Sequence, residues 1–242
     1  MATKKVKIKN IKKIDVPVIV DGDFDELKNA KIVFEHATNS VNQFYKLFQK
    51  NRKGVKGSTT HVEQDLLRAM LVFSCSGLDA VVKQLIKDSL AAVINKEIGA
   101  QQEFQKFIER KMKKGNIEDK EKFAIDTNWI AAILASSIPR DYLTNALQKN
   151  LTDDSLQSRD QLLKIAAHFA ITQADVLGDP DTTKKAFDVR NEIIHEMDTN
   201  LSGQKKRRQR AEKEMVKYSE NILSVGTKFI NIVHKKLYAP VL

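Results

Sequence analysis

The sequence is poor in helix-breaking residues and in cysteine. Nine glycines and four prolines occur in 242 residues, and this scarcity favours long helices over a protein of strands and tight turns. A single cysteine, Cys75, excludes a disulfide within this chain and any cysteine-based zinc site. It lies in the apolar run LVFSCSGLDAVV, so we expect a buried packing thiol in a reducing compartment.

Several other signals are missing. No run of 18 uninterrupted apolar residues occurs, so we expect no membrane span. The N-terminus lacks the apolar core of a signal peptide, which favours a cytoplasmic protein. Neither a glycine-rich phosphate loop nor an HExxH or similar set of metal ligands is present, so we expect no cofactor and no metal. Apolar residues still make up 42% of the chain, enough for one sizeable core.

Positive charge is concentrated in two segments. Residues 1–20 hold six lysines and one aspartate, a net charge of +5. Residues 203–214 hold six basic and two acidic residues, a net charge of +4, and the whole chain carries +10. Clustered positive charge without an apolar face is typical of proteins that bind polyanions, nucleic acid before membrane. The alternative is that the two runs only keep the protein soluble.

The spacing of apolar residues predicts an all-α fold, an up-and-down helical bundle. The most apolar helix is expected at its centre, and Gly77 on that helix is expected to let a neighbouring helix approach closely. Apolar side chains at intervals of three and four residues predict helices over residues 24–52, 61–95, 128–150 with a break near Pro139, 154–171, 181–200, and from the NLSGQ segment to about Leu237.

Two segments are expected to differ from the bundle. Residues 1–20 alternate lysine with valine and isoleucine as far as Pro17, which predicts a basic extended arm or a short edge strand. Residues 96–126 are polar and highly charged, and we expect them to form a charged helical insertion outside the bundle. Residues 21–242 are otherwise predicted to form a single helical domain.

One predicted helix carries an unusual polar set, RNEIIH at residues 190–195. An arginine five residues before a histidine is a weak signal, expected by chance in roughly one such chain in five, but the intervening asparagine lowers this to roughly one in a hundred. Because a helix turns by about 100° per residue, Arg190 and His195 point in directions about 140° apart. The arginine side chain must therefore bend around the helix to approach the histidine. The alternative is an incidental surface histidine, with Arg190 paired to a carboxylate. His168 is expected to be a packed core residue.

In an all-helical chain, RNEIIH resembles the active-site motif of the HEPN superfamily. That motif is an arginine, four to six residues and a histidine, often with asparagine, aspartate or histidine directly after the arginine. The upstream run DLLRAMLVFSCSGLDAVVKQLIKDSL is similar to the central helix of HEPN domains in bacterial defence and toxin systems, most of all the subgroup associated with RiboL-PSP. The resemblance covers residues 60–95 and 155–237, but neither the arm nor residues 96–126.

The resemblance implies a metal-independent endoribonuclease that works as a homodimer, with two motif helices facing each other across a basic groove. His195 would be the general base for the ribose 2′-OH or the general acid for the leaving 5′-oxygen. Arg190 would hold the scissile phosphate, and Asn191 would position the phosphate or a ring nitrogen. The substrate would be RNA, cleaved to a 2′,3′-cyclic phosphate and a 5′-OH. An antitoxin or a defence-system protein would be a further partner.

Other residues are expected to support this site. By the same resemblance Asp79, or Ser76 one turn before it, would support Arg190; the alternative is a local hydrogen bond on their own helix. The KKRRQR run is expected at the start of the last helix, where positive charge opposes the macrodipole, so we expect it to bind RNA. The alternative is a solvated helix start that frays. The predicted RNA-binding residues are Lys205, Lys206, Arg207, Arg208 and Arg210.

Two further functions stay open. A non-catalytic HEPN-like helical module would bind RNA or a protein partner through a vestigial motif. A helical scaffold would assemble through the last helix, because its apolar residues repeat at intervals of three and four. Those residues are Met215, Tyr218, Ile222, Val225, Phe229 and Ile232.

Overall fold

A computed structural model describes residues 13–22, 24–114 and 124–238. These residues form helices and one antiparallel two-stranded ladder, which confirms the prediction of an all-α fold. The elements are α1 Asp25–Arg52, α2 His61–Lys96, α3 Ile98–Met112, β1 Lys113–Lys114, β2 Ala124–Ile125, α4 Thr127–Ala135, α5 Pro139–Thr152, α6 Arg159–His168, α7 Gln173–Val176, α8 Pro180–Glu196 and α9 Glu212–Tyr238.

The central helix of the bundle is α2, as its apolar composition predicts. It begins with a capping box, in which Thr60 Oγ1 accepts from the Glu63 N–H and the Glu63 carboxylate accepts from the Thr60 N–H. It packs against α1, α5, α8 and α9. A Cβ added to Gly77 would lie 2.3 Å from the Cβ of Ala37, so the predicted close approach is confirmed, with α1 as the neighbour.

The apolar character of α2 is explained by its position. By length and composition alone α2 is able to cross a membrane, and 56% of its most apolar 18-residue window is buried within the bundle. One such helix is weak support for a membrane span, because the core helix of any helical bundle meets the same test.

The last helix, α9, lies parallel to α2, because their starts meet at Gln64 and Arg210 and their ends at Lys96 and Leu237. It lies antiparallel to α1, because Tyr45 contacts Glu212 and Glu26 contacts Tyr238. Its apolar seam is buried inside the chain, where the Phe229 ring meets Phe169 edge-on at 5.3 Å. The seam is therefore already covered, and the prediction that it joins copies of a scaffold is wrong. The seam residues that are fully buried in this way are Met215, Ile222, Val225 and Phe229.

Two helix ends around the motif differ from the prediction. α8 ends at Glu196 instead of near Asn200, because Met197 and Asp198 adopt left-handed backbone conformations with φ of 51° and 56°. α9 begins only at Glu212, so the KKRRQR run precedes this helix instead of starting it. Its first turn carries Glu212 and Glu214, the charge that the macrodipole favours there.

Over residues 13–22 the arm forms neither a helix nor a strand, and its first 12 residues lie outside the described residues. It follows α1 and α9, and Ile14 is buried between them. Side chains of these helices hold its backbone through hydrogen bonds that include Ile14 N to Asn42 Oδ1 (2.9 Å), Asp15 N to Glu220 Oε1 (3.1 Å), Val20 N to Asn231 Oδ1 (3.0 Å), Asn231 Nδ2 to Val18 O (3.1 Å) and Lys31 Nζ to Gly22 O (2.7 Å).

The charged segment 96–126 is partly inside the bundle. α3 buries Ala100, Phe104 and Phe107, and it packs against α2 and α6. The prediction that this segment lies outside the bundle is therefore wrong for α3, because its two phenylalanines form an apolar face. Residues 115–123 lie outside the described residues.

Candidate functional site

The motif lies on α8, and the start of this helix is firmly held. Asp179 caps it by accepting from the Thr182 N–H at 3.0 Å. Hydrogen bonds from the side chain and backbone of Thr182, together with Lys217, lower the pKa of Asp179 to about 2. One turn later, Thr183 Oγ1 donates to Asn221 Oδ1 of α9 at 2.7 Å. Buried Ala186 and Phe187 complete the contact with the core.

Arg190 is a partly buried cation without a carboxylate partner among the described residues. Its Nη1 donates to Asn191 Oδ1 at 2.9 Å, and its Nε is buried with no hydrogen-bond partner there. The alternative in which Arg190 pairs with a nearby carboxylate is therefore not what the fold provides. Every other arginine that is at least partly buried does form such an ion pair, namely Arg52, Arg68, Arg159, Arg207, Arg208 and Arg210.

Asn191 is fixed on two sides. Its Oδ1 accepts from Arg190, and its Nδ2 donates to the carbonyl of Gln157 at 3.0 Å. It therefore orients the guanidinium and ties α8 to the loop that precedes α6. This geometry suits a positioning residue.

Asp79 meets the same loop from α2. Its Oδ1 accepts from the Leu156 N–H at 2.7 Å, and its Oδ2 pairs with Lys83 at 3.2 Å. No direct contact joins Asp79 to Arg190 in the described residues, so any support passes through the loop. Ser76 is exposed on α2.

His195 lies exposed in the last turn of α8, and within the described part of the chain it has no hydrogen bond or ion pair. Its acidic neighbours on α8 form ion pairs with other residues. Glu196 pairs with Arg208 at 3.0 Å, and Glu192 pairs with Arg210. The imidazole is therefore open to solvent and free to rotate.

Behind His195 lies a buried ion-pair network centred on Asp198. Asp198 is 0% exposed and accepts from Arg68 Nε at 2.6 Å and Arg210 Nε at 3.1 Å. Arg68 is itself only 4% exposed. Burial acts to lower the pKa of Arg210, but hydrogen bonds to Asp198 and Glu192 outweigh it and raise that pKa.

The network folds the KKRRQR run into a hairpin. The Arg208 N–H donates to the Asp198 carbonyl at 2.7 Å, and Thr199 bridges Arg207 antiparallel. The network contains four arginines and four carboxylates, so its charges balance. Its arginines are Arg68, Arg207, Arg208 and Arg210, and its carboxylates are Asp65, Glu192, Glu196 and Asp198.

This balance separates the residues predicted to bind RNA into two groups. Arg207, Arg208 and Arg210 hold the hairpin together, whereas Lys205 and Lys206 are exposed and form no ion pair with described residues. The network also includes Arg68, which is 130 positions from Asp198 in sequence. No local sequence pattern links residues so far apart, so sequence reasoning missed it.

Cys75, on α2, is buried in the hydrophobic core of the bundle, as predicted. Burial raises the pKa of its thiol to about 12, although the positive charge of Arg190 acts in the opposite direction. The thiol is therefore protonated and poorly reactive at neutral pH.

Together, α8 presents a cation with open donors, an amide that orients it, and a solvent-exposed imidazole. No group of three or more His, Cys, Asp or Glu side chains suited to a metal ion occurs among residues 13–22, 24–114 and 124–238. Comparisons of the chain with protein-family models, curated proteins and solved structures give no match.

Proposed function

We propose that this chain is a metal-independent endoribonuclease of the HEPN type, with a site completed by a second copy of the chain. The observation that carries the proposal is Arg190, a partly buried arginine with no carboxylate partner in the described residues, on the same helix as an exposed histidine. Buried donors are normally paired, and a guanidinium favours planar oxyanions. A phosphodiester of RNA is such a partner.

The chemistry is a transfer of the phosphorus from O5′ to O2′. One His195 takes the proton of the 2′-OH as O2′ attacks the phosphorus, and the P–O5′ bond breaks. The second copy's His195 gives a proton to the leaving O5′. The products are a 2′,3′-cyclic phosphate and a 5′-OH. Each motif contributes one histidine, so a base and an acid together require two copies.

Arg190 stabilises the charge that builds on the phosphate oxygens in the transition state. Its Nε is buried and its Nη1 donates to Asn191, so Nη2, which has no hydrogen-bond partner among the described residues, is the donor available for this contact. Asn191 keeps the guanidinium in place through its contacts with Nη1 and with the Gln157 carbonyl. Fixed donors lower the barrier most, because they need no reorganisation during the reaction.

Exposed apolar side chains around His195 support the dimer. Ile194 is 40% exposed, and Met197 and Leu201 are each 67% exposed. Apolar side chains grouped beside a site are typical of surfaces that a partner covers. A two-fold contact through this surface brings two copies of α8 together.

From the same resemblance, we propose that the protein is cytoplasmic and acts in defence or toxin–antitoxin systems. An antitoxin or a defence protein would be its partner.

One observation favours the alternative of a non-catalytic RNA- or protein-binding module. His195 has no hydrogen bond that fixes its ring within the described residues, whereas catalytic imidazoles are usually oriented by a second group.

The test is cleavage of a labelled RNA by the purified full chain in excess chelator. We expect 2′,3′-cyclic phosphate ends, no cleavage of the matching DNA, and a loss of about a hundredfold or more in His195→Ala. His61→Ala is the control, because His61 is an exposed histidine on α2. An inactive wild type, or equal activity in His195→Ala, rejects the proposal; salt-sensitive binding without cleavage supports the alternative.

A further inference from the structure

A surface groove lies where the last turn of α2 meets α3 and α5, and its volume is about 440 Å³. Ile94 of α2 forms the floor of this groove, since it lines the groove and is only 1% exposed. Arg68, which belongs to the network behind His195, is about 39 Å away along α2. The groove is therefore separate from the candidate site on α8.

One wall of the groove is a straight stripe of α3. Its residues are spaced by three, one and three positions, so they share one face of the helix over two turns, about 10 Å. The facing wall is formed by two residues one turn apart on α5, Arg140 and Leu143. Two helix walls over an apolar floor form a groove into which a third helix packs its side chains. The wall residues on α3 are Gln101, Phe104, Gln105 and Ile108.

Arg140 is the one charged residue among the described residues that line the groove. Its Nη2 donates to Asn95 Oδ1 of α2 at 2.7 Å, and it forms no ion pair with any described residue. It also lies in the first turn of α5, where the helix dipole disfavours a positive charge. A guanidinium fixed beside apolar side chains, with donors left over, favours a carboxylate as its partner.

The short helix α4 lies beside the groove. The Asp126 N–H donates to the Met112 carbonyl at 3.0 Å, so α4 begins next to the end of α3. α5 begins next to the end of α2, because Arg140 contacts Asn95. Only three residues separate α4 from α5, so α4 runs back along α3, and it packs against both α3 and α5.

The surface of α4 is apolar and uncovered. Its sequence, TNWIAAILA, contains no charged residue, and none of its residues is buried. Leu134 is 77% exposed, and Ile138, in the connection to α5, is 55% exposed. Exposed apolar side chains grouped in this way are typical of a surface that a partner covers.

We infer that the groove and the exposed face of α4 bind an amphipathic helix of another protein, with a carboxylate of that helix beside Arg140. The groove favours a helix over a flat surface, because a ridge of side chains reaches the floor at Ile94. Arg140 favours an acidic flank on that helix. This inference goes beyond the proposed function and does not depend on RNA cleavage.

The first test selects binders from a display library of helical peptides of about 18 residues, five turns, with the full chain as bait. One face of the peptides varies among apolar, acidic and basic residues. We expect the enriched peptides to share apolar residues at intervals of three and four, flanked by at least one acidic residue. No enrichment over a selection without bait, or enrichment of basic peptides, overturns the inference.

The second test is a charge swap with the most enriched acidic peptide as a fluorescent probe. Arg140→Glu should weaken binding at least about tenfold, and changing the peptide's acids to lysine in turn should restore most of the loss at one position. A folding defect in Arg140→Glu would not be repaired by a change in the peptide.

Lys149→Glu is the matched control for the charge swap. Lys149 is exposed on the same helix, α5, and points about 180° away from Arg140. We expect this control to bind the peptide as the wild type does. An equal loss of affinity in the two variants, or no recovery with any lysine peptide, overturns the inference.

The role of α4 has its own pair of variants. Leu134→Asp should weaken binding of the same peptide at least about fivefold, because it places a second negative charge against an acidic helix. Val62→Asp is the control, since Val62 is 63% exposed at the start of α2, whereas Ile94 lies at its end. Circular dichroism checks that both variants fold. Parental affinity in Leu134→Asp, or an equal loss in Val62→Asp, overturns the assignment of α4 to this surface.

A lipid surface is the competing occupant, because apolar helices with a tryptophan also bind membranes. Trp129, the single tryptophan of the chain, lies on α4 and reports on either occupant by its fluorescence. The wild type is mixed with the enriched peptide, or with vesicles of phosphatidylserine and phosphatidylcholine. A change in emission with the peptide and none with the vesicles supports the inference. A blue shift with the vesicles and none with the peptide overturns it.

Discussion

Asp79 and Asn191 hold neighbouring residues of one loop from opposite helices. Asp79 of α2 accepts from the Leu156 N–H at 2.7 Å, and Asn191 of α8 donates to the Gln157 carbonyl at 3.0 Å. Because Asn191 also accepts from Arg190, the loop is the physical link between α2 and the guanidinium.

The first prediction concerns this link. Asp79→Ala removes the acceptor of the Leu156 N–H, so we expect a loss of about 1–2 kcal/mol in the free energy of unfolding and looser positioning of Arg190. Asp79→Asn keeps an acceptor oxygen and should lose less. Urea denaturation and RNA cleavage rates measure the two effects. Cleavage by Asp79→Ala equal to the wild type would show that the link has no part in activity.

The second prediction contrasts two arginines. Arg190→Met removes a buried donor that has no partner, so the free energy of unfolding should stay within about 0.5 kcal/mol or rise, while cleavage falls by about a hundredfold or more. Arg68→Met is the control, because it leaves buried Asp198 short of one cation and should cost about 3 kcal/mol. Chemical denaturation gives both values, and a strongly destabilised Arg190→Met would contradict an unpaired arginine.

The third prediction concerns the surface around His195. Met197→Lys puts a charge on the apolar surface that the second copy is proposed to cover, so light scattering should show a shift from dimer to monomer with loss of cleavage. Leu134→Lys is the control, since Leu134 is 77% exposed on α4, which packs against α3 and α5. A wild type that is monomeric and active at all concentrations would be decisive against the composite site.

The fourth prediction concerns pH. Burial lowers the pKa of His168 from its usual 6.5, with Glu103 acting in the opposite direction and Arg110 in the same direction. The unfolded chain therefore takes up the proton first, so this contribution to stability is complete above about pH 6.5 and is lost as the pH falls toward the lowered pKa.

His168→Gln should accordingly lose less stability than the wild type between pH 7.5 and pH 5.5, as measured by urea denaturation. The same sign applies to His234, whose pKa is also lowered by burial, so His168→Gln should reduce the pH dependence without abolishing it. Identical pH profiles for the two proteins would refute a role for His168.

Much of the fold follows from local sequence patterns. Apolar periodicity predicts α2 to within one residue, and Gly77 marks its close contact with α1. The buried state of Cys75 follows from the apolar residues around it. Local patterns succeed here because each depends on neighbours within one helix.

The charges were harder to predict, because their partners come from distant parts of the chain. The KKRRQR run has a large positive sum, yet Asp65, Glu192 and Asp198 neutralise its arginines only after folding. The same network ends α8 at Glu196 and delays α9 to Glu212. Arg190 is the opposite case: it has no carboxylate partner among the described residues, and this lack is recognised only from the folded structure, where the other partly buried arginines are paired.

The contact at Gly77 has a mechanical consequence. A Cβ at position 77 would lie only 2.3 Å from the Cβ of Ala37, so the backbone of α2 is packed directly against α1 at this point. Such close packing opposes sliding or rotation of one helix against the other. α2 in turn anchors the loop through Asp79 and the hairpin through Arg68, at either end of the α8 motif. Helix α8 is thus attached to α2 on both sides of the motif, and a movement of α8 requires a change in the conformation of the loop or of the hairpin.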